Sequence, residues 1–516
     1  MNRKSLKTQE ENKTMNNKHQ ITNAKQISTA KPDDKSSRQW LMMLGLLLAV
    51  FFGQAFVIKA ANYNVTNTND SGAGSLRQAI SDANAMPDND VINFDASLAN
   101  QTIVLTSGEL SIVSNGTLTI NGLGADQLSI SGNNQSGVFF IQFNASVAIS
   151  GITITDGNPA LFGGGIRNQG TLTLTDSTVS GNSAYDGGGI YNSGTLILSN
   201  STISGNSASS RGGGIYNSGT LSLTNSTVSG NSVSGNDGGN PARFQGGGIF
   251  NNAALTLTNS TISDNSAGTG GGVLNDAQEL TGGTININNS IIANSASGGD
   301  CKNLSFNLGG MINAEYSLIE DGLSCVNGTN QNNLTGDPNL GPLQDNGGPT
   351  FTHALLPGSP AIDKGNSTLI EDDQRGFSRP VDDPASPNGS GNLSDIGAFE
   401  VQLPPVTDTD GDSVPDETDN CPTNANPEQT DTDGDGIGNA CDTDDDNDTV
   451  LDGSDNCPLV SNLNQADFDR DGIGDTCDTQ PTRPTNKNQC KNGGWMNWTP
   501  RFKNQGDCIQ FVNTGR

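Results

Sequence analysis

The decapeptide GGGIYNSGTL stands at 187–196 and returns without a change at 212–221. Looser copies begin at Gly163 (GGGIRNQGTL), Gly246 (GGGIFNNAAL) and Gly270 (GGGVLNDAQEL). The first apolar residues of these copies are Ile166, Ile190, Ile215, Ile249 and Val273, at steps of 24, 25, 34 and 24 residues. One structural unit is restated along the chain, with a single insertion. Internal repetition at a period of this size marks a solenoid or array.

Each unit carries a second apolar run: TLTLTDSTVSGNS from Thr171, TLILSNSTISGNS from Thr195, TLSLTNSTVSGNS from Thr220 and ALTLTNSTISDNS from Ala254. Leu172 and Leu174 alternate with threonines, the period of a strand with one buried face. Two or three short strands per unit, separated by Gly, Asn and Ser, stack best when the chain coils and each strand lies parallel on its copy. At ~4.8 Å per coil, about a dozen coils between 62 and 340 make a rod. The expected fold is all-β: a right-handed parallel β-helix, followed by a disulfide-linked acidic module.

In such a coil like stacks on like. Asn168, Asn192, Asn217, Asn251 and Asn275 share one position and Asn182, Asn206, Asn231 and Asn265 another, so two amide ladders are expected. The glycine triplets suit a corner where φ turns positive. They lack the lysine of a phosphate loop. The residue after the repeat Ile is Arg167, Tyr191, Tyr216 and Phe250. Alternation points these four outward, as a flat strip on which sugars could stack. Aromatic neighbours that only brace adjacent strands are the plainer reading. Asp186 and Arg211 should meet one coil apart as an exposed pair of little energetic weight.

The chain has 516 residues, of which only 32% are hydrophobic, and 66 glycines; its formal net charge is −30. That charge argues against a nucleic-acid partner, whose phosphates require basic patches. Residues 1–40 are polar and basic, WLMMLGLLLAVFFGQAFVI follows at 40–58, and small residues stand at Ala60 and Ala61. Basic, apolar, small is the order of a signal peptide. If the segment is not cleaved it becomes a single membrane anchor. In both cases the rest of the chain is expected outside the cytoplasm.

All eight cysteines lie after residue 300. Sequential pairing, Cys301 with Cys325, Cys421 with Cys441, Cys457 with Cys477 and Cys490 with Cys508, keeps each bridge inside one compositional block. With no CxxC, zinc chemistry is not expected. Between 406 and 480 there are 22 carboxylates opposed only by Arg470. They are ordered. Asp408, Asp410, Asp412, Asp416 and Asp419 occupy positions 1, 3, 5, 9 and 12 of a loop. Asp431, Asp433, Asp435, Asn439 and Asp442 repeat the spacing, as do Asp444, Asp446, Asp448, Asp452 and Asp455, and then Asp467, Asp469, Asp471, Asp475 and Asp478. Alternate oxygen donors with a returning carboxylate are what Ca²⁺ takes from one short loop, and backbone carbonyls at Val414, Ile437, Val450 and Ile473 would complete the shell. Gly436 and Gly472 fit the tight-turn position, whereas Ser413 and Thr449 depart from it.

Several of these stretches resemble known families. The GGGI-x-N units resemble repeats of chlamydial polymorphic outer-membrane proteins. VTNTNDSGAGSLRQAISDAN (65–84) is similar to the N-terminal cap of secreted bacterial β-helix proteins. DPNLGPLQDNGGPTFTHALLPGSPAIDKGN (337–366), DQRGFSRP (373–380) and DIGAFE (395–400) resemble the choice-of-anchor Q region, which ends such helices. D-x-D-x-D-G-x-x-D-x-x-D-N-C-P resembles thrombospondin type 3 repeats. CKNGGWMNWTPRFKNQGDC (490–508) is similar to a small C-terminal module of exported bacterial proteins. The implied organisation is an N-terminal region with signal peptide or anchor (1–61), a β-helix (62–340), a capping region (341–402), calcium-binding repeats (406–479) and a disulfide-closed module (480–516).

A polysaccharide lyase needs an Arg or Lys base beside calcium-holding carboxylates, and a glycoside hydrolase needs paired acids. Between 63 and 300 the chain has no lysine, no histidine and only Arg77, Arg167, Arg211 and Arg243. His353 lies in the capping region, where a structural role is expected. The expectation is therefore a non-catalytic, secreted or surface-exposed bacterial protein, a monomeric calcium-stabilised rod. It would act in adhesion or contact with an extracellular carbohydrate or cell-surface ligand. The rival expectation is a polysaccharide-degrading β-helix enzyme.

Overall fold

The computed structural model describes residues 60–113, 116–235, 244–276, 283–304, 310–367, 370–403, 407–468, 470–479, 483–498 and 501–515. The apolar segment 40–58, Arg243 and Asp469 lie outside these residues. The chain divides into two compact units, Met1–Val401 and Gln402–Arg516.

In the first unit the repeat is a parallel β-solenoid. Among the described residues, three parallel sheets of 11, 8 and 9 strands run along it. One coil shows the construction. Ile190–Asn192, Thr195–Ser199 and Thr202–Ser204 each give a strand to one sheet, and Ser207–Arg211 adds a fourth short strand. Equivalent residues pair from coil to coil: Ile166, Ile190 and Ile215; Leu172, Leu196 and Leu221; Val179, Ile203 and Val228. All nine side chains are at most 1% exposed. Each such burial contributes about 1.5–3 kcal/mol, which explains how a chain poor in apolar residues holds a continuous core.

The corners account for the remaining letters of the repeat. The first glycine of each triplet has positive φ, from +62° at Gly270 to +68° at Gly187. A Cβ on Gly187 would stand 2.4 Å from the Ile190 carbonyl oxygen, so no other residue fits. Between the second and third strands, Asp176, Asn200, Asn225, Asn259 and Asn289 hold φ between +46° and +50°, a region Asn and Asp tolerate better than other side chains.

Both amide ladders form. Nδ2 of Asn168, Asn192, Asn217 and Asn251 donates to Oδ1 of the next asparagine at 2.7, 2.8, 2.7 and 3.0 Å. Asn182, Asn206 and Asn231 do the same at 2.9, 2.9 and 3.0 Å. A third ladder runs through serine, where the Ser177 and Ser201 amides donate to Oγ of Ser201 and Ser226. These asparagines and serines are buried, and stacking satisfies polar groups that would otherwise oppose burial.

The helix Leu76–Ala85, capped by the Ser75 hydroxyl, buries Leu76, Ala79, Ile80 and Ala83 against the first strands. Residues 341–402 bind along the flank of the solenoid. Thr350 Oγ1 donates to Asn200 O, Asn225 Nδ2 to Asp372 O, Thr227 Oγ1 to Gln374 Oε1, and Asn289 Nδ2 to Asp395 O. The flank segment is itself held by two buried ion pairs, Arg379–Glu400 and Arg375–Asp373, both 2.6 Å. Among the described residues no helix is long and apolar enough to cross a membrane.

The second unit has little regular structure beyond the helices Lys487–Cys490 and Gln505–Thr514. Its bridges are Cys421–Cys441, Cys457–Cys477 and Cys490–Cys508, and Cys301–Cys325 lies in the first unit.

Candidate functional site

The first three acidic loops fold alike, and the described residues of the fourth follow the same pattern. In the first, the Asp408 carboxylate accepts the amides of Gly411 and Ser413, the Asp410 carboxylate that of Asp412, and the Asp412 carboxylate that of Val414. Asp431, Asp433 and Asp435 receive the same set from Gly434, Gly436, Asp435 and Ile437. In the third loop Asp444 accepts from Asp448 and Thr449, while Asp448 accepts from Val450. In the fourth, Asp467 accepts from Arg470 and Gly472, and Asp471 from Ile473. Position 6 is left-handed in all four: Ser413 +78°, Gly436 +97°, Thr449 +79° and Gly472 +96°. In the first three loops this turn carries the chain past residue 6 and brings positions 1, 3 and 5 to one point.

Three triplets converge: Asp408, Asp410 and Asp412; Asp431, Asp433 and Asp435; Asp444, Asp446 and Asp448. One oxygen of each residue lies within 4.8 Å of the others, as a metal ion requires. The donors' second oxygens carry the clearest sign. Oδ2 of Asp410, Asp433 and Asp446, all at position 3, is buried and accepts no hydrogen bond, and neither does Oδ2 of Asp419 and Asp455, at position 12. Desolvation, and then the charges of Asp412, Asp419 and Asp408, push the Asp410 carboxyl above the ordinary carboxylate range. Desolvation, then Asp448, Asp455 and Asp444, do the same to Asp446. The carboxylate at position 12 thus shares the electrostatic environment of the triplet. Hard oxygen donors at this density fit a divalent cation of the calcium class.

Position 9 is engaged elsewhere. Asp416 accepts the amide and hydroxyl of Thr409, Asn439 the amide of Thr432, Asp452 that of Asp445, and Asp475 that of Phe468. These side chains brace position 2 of their own loops. Asp442 accepts the amides of Thr443 and Asp444, where the third loop begins. The position-7 residues Val414, Ile437, Val450 and Ile473 follow directly on the left-handed residue. Asp478 closes the fourth spacing.

The sequence reading missed the residues that hold position 12. Gln429 donates to the Asp419 carboxylate and accepts the Asn420 amide through its side-chain oxygen, and Asn426 Nδ2 donates to Asn420 Oδ1. The Asn426 amide also donates to Asp412, joining this brace to position 5. Gln465 and the Asn462 amide make the matching contacts to Asp455 and Asp448. The available signal was a second period: Asp408, Asp419, Asn420, Asn426 and Gln429 all recur 36 residues later.

The proposed sugar-binding strip requires correction. Arg167, Tyr191, Tyr216 and Phe250 do stack from coil to coil, with the tyrosine rings 4.8 Å apart and Tyr216 and Phe250 5.0 Å apart. They offer no flat open face, because Tyr216 is 7% exposed and Phe250 1%. The residues before two of the triplets, Phe162 and Arg211, lie over these rings. Phe162 packs on Tyr191 at 4.7 Å, and Arg211 lies over Tyr216 and Phe250 at 5.0 and 5.3 Å. Arg167 lies 3.8 Å over the ring of Phe140. The Asp186–Arg211 pair is likewise not an exposed one, since the Asp186 side chain is only 3% exposed.

His353 bridges the flank segment to the solenoid, with Nδ1 2.7 Å from Gly341 O and Nε2 2.8 Å from Ser229 Oγ. The second contact has the spacing of a nucleophile and its base. Ser229 is 2% and His353 1% exposed, so both are sealed from substrate. A groove of about 380 Å³ opens on the flank beside Thr153, Thr178, Ser180, Ser204 and Phe351.

No curated protein matches the chain. Among solved structures it is similar to pectate lyase Pel9A (15% identity, TM-score 0.37, 67% of this chain and 98% of that one). It is also similar to pectate lyase Bsp165PelA from Bacillus sp. N165 in complex with trigalacturonate (11% identity, TM-score 0.28, 58% and 89%). A third is jun a 1, the major allergen from cedar pollen (11% identity, TM-score 0.26, 57% and 85%). Residues 407–429 and 430–465 match the thrombospondin type 3 repeat. Residues 407–465 of the second unit therefore carry thrombospondin type 3 repeats, on the same chain as a parallel β-solenoid.

Proposed function

We propose that this is an exported, calcium-binding rod that works by surface contact, in adhesion or in holding an extracellular glycan. The observation that carries the calcium reading is the set of buried, unpartnered oxygens at positions 3 and 12 of the repeats. Asp408, Asp410, Asp412 and Asp419, and their counterparts in the other loops, would hold the ion. Bound calcium would supply the positive charge that lets those carboxylates pack together. Four disulfides support a compartment outside the reducing cytoplasm. A bacterial cell surface is the proposed site of action, with the segment at 40–58 as the export signal or anchor.

For glycan contact, the flank groove takes the place of the aromatic strip. It sets two columns of hydroxyls, Thr153 with Thr178 and Ser180 with Ser204, beside Phe351, which is 51% exposed. An exposed ring beside hydroxyls at regular spacing suits a sugar, which presents both C–H and O–H faces. The rival reading is cleavage of a polysaccharide. Incubation with a panel of acidic and neutral glycans separates the two: retention without new ends supports contact, and unsaturated or reducing ends establish cleavage. Phe351→Ala should weaken retention and leave melting unchanged.

A further inference from the structure

One position of the solenoid core departs from its column. Asp90 pairs with Leu118, Leu118 with Val147, Val147 with Leu172 and Leu172 with Leu196. The four aliphatic side chains are at most 5% exposed, and Asp90 itself is 2% exposed. Core-facing strand positions take apolar residues, so a buried acid among them needs a compensating partner. One Asp90 oxygen accepts the Ala61 amide at 3.1 Å. Asp88 brings a second carboxylate to the same place. It is 7% exposed, and its Oδ1 is buried and accepts no hydrogen bond. Both acids line a cavity of about 10 Å³ beside the helix Leu76–Ala85, walled by Ala83, Ile112 and Leu118, with Thr117 and Ser146 at its edge. That is room for a single small occupant.

No side chain supplies the missing charge. Among the described residues no basic group pairs with Asp88 or Asp90. From Ala60 to Ile166 the sequence has one basic residue, Arg77. Its guanidinium is held by Asp70 at 2.7 Å and by the carbonyls of Gly108 and Glu109. Lys59 lies outside the described residues. Desolvation, and then the Asp88 charge, push the Asp90 carboxyl up against the pull of the Ala61 amide, so the two acids stand close enough to repel. Two carboxylates buried side by side as anions are costly unless a cation meets them. We propose that Asp88 and Asp90 hold one divalent cation of the hard, oxygen-preferring class of Ca²⁺ and Mg²⁺. The ion balances both charges and ties the start of the strand Asp90–Phe94 to the turn before it, one strand in from the edge of the 11-stranded sheet. Binding there stabilises the first coils by mass action. The site belongs to the first unit and does not depend on the acidic repeats of the second.

Equilibrium dialysis of the full chain against Ca²⁺ and, separately, Mg²⁺ counts the bound ions, and anomalous scattering from crystals grown with Mn²⁺ locates them. A Mn²⁺ peak in contact with both the Asp88 and the Asp90 carboxylates is expected. Asp88→Asn should bind one ion fewer than the parent, lose that peak and keep any at the acidic repeats. The preferred ion should also raise the melting temperature of the first unit in the parent and not in Asp88→Asn. The competing occupant is a proton shared by the two acids, a state that Asp88→Asn imitates. Equal ion counts in parent and variant, or a parent with no Mn²⁺ peak between the two carboxylates, overturn the proposal. If Asp88→Asn does not fold, the Mn²⁺ map of the parent decides alone. Failure of the acidic repeats to take calcium leaves this site standing.

Discussion

Arg211 grips Asp186 through two hydrogen bonds, Nη2 to Oδ2 at 2.8 Å and Nε to Oδ1 at 3.2 Å, across 25 residues and one coil. The two side chains are unequally buried, 36% exposed for arginine and 3% for aspartate. Removing the arginine strands a buried carboxylate, whereas removing the aspartate leaves a cation that still reaches water. Arg211→Ala should therefore cost about 3 kcal/mol, and Asp186→Ala about 1 kcal/mol after allowance for solvent screening. Arg211→Ala should also expose Tyr216 and Phe250, which quenching of tyrosine emission would register. Equal melting shifts for the two variants would refute the asymmetry.

That pair also shows what the repeat could and could not disclose. Alternation along Ile190, Tyr191 and Asn192 tells which way each side chain leaves the strand, and the stacking of like on like told which residues share a column. Neither reports what the next turn does with the space outside. The covering of Tyr216 depends on Gly212, whose φ of +65° sends the preceding Arg211 back over the ring. This is a backbone event invisible to side-chain periodicity. The flank contacts of Gln374 and Asp395 lie more than a hundred residues from their partners and belong to no period. The Asp triplets were legible because positions 1, 3 and 5 fall within five adjacent residues, whereas the Asn426 and Gln429 brace lies beyond the twelve-residue spacing.

The asparagine ladder should be cooperative along the axis. Asn217 donates to Asn251 Oδ1 and to Ala254 O, and accepts from Asn192. Asn217→Ala breaks these bonds and takes one acceptor from Asn192 Nδ2, which keeps Thr220 O, at a cost of about 1–3 kcal/mol. Melting of the purified variant measures this. A loss below about 0.5 kcal/mol, the level of an ordinary surface change, would mean that the ladder is incidental to stability.

Acidity should tighten the flank segment. Burial, and then the Glu400 charge, push the Asp395 carboxyl up to about 7. From about pH 4 upward the unfolded chain has given up this proton, whereas the folded chain keeps it until about pH 7. The contribution to stability is thus present at low pH and is lost as pH rises through that window. Melting of the first unit should fall between pH 5 and pH 7 and then level off, and Asp395→Asn should flatten the curve. A variant with the same pH dependence as the parent would place the proton elsewhere.

Ser413 and Thr449 occupy the left-handed turn position that Gly436 and Gly472 fill in the alternate loops. A side chain there costs about 1–2 kcal/mol relative to glycine, partly offset by the greater freedom of glycine in the unfolded chain. Ser413→Gly and Thr449→Gly should each strengthen calcium binding at their own loop, by about 0.5–1 kcal/mol or several-fold in affinity. Calorimetric titration of the variants against the parent is the measure. Unchanged or weaker binding would mean that the hydroxyl residues contribute something the turn geometry does not require.

Positions 3 and 9 of a loop carry the same residue in three of the four repeats and should nonetheless answer differently to the same substitution. Asp446 holds a buried oxygen with no partner, and desolvation, then the charges of Asp448, Asp455 and Asp444, push its carboxyl up. Asp452 spends an oxygen on the Asp445 amide, and the second loop already uses an amide side chain, Asn439, in that role. Asp452→Asn can keep the oxygen that accepts the Asp445 amide, so the turn survives and calcium affinity should change little. Asp446→Asn keeps the shape but withdraws a charge from the cluster. Without calcium it should relieve repulsion and slow proteolysis of 444–455, and with calcium the loop should lose its site. Extracellular loops of this kind bind at about 10⁻⁴–10⁻³ M, so the titration belongs in the millimolar range, followed by calorimetry and by limited proteolysis with and without EGTA. If both variants lose the site equally, position 9 is a ligand after all and its contact with position 2 must open on binding.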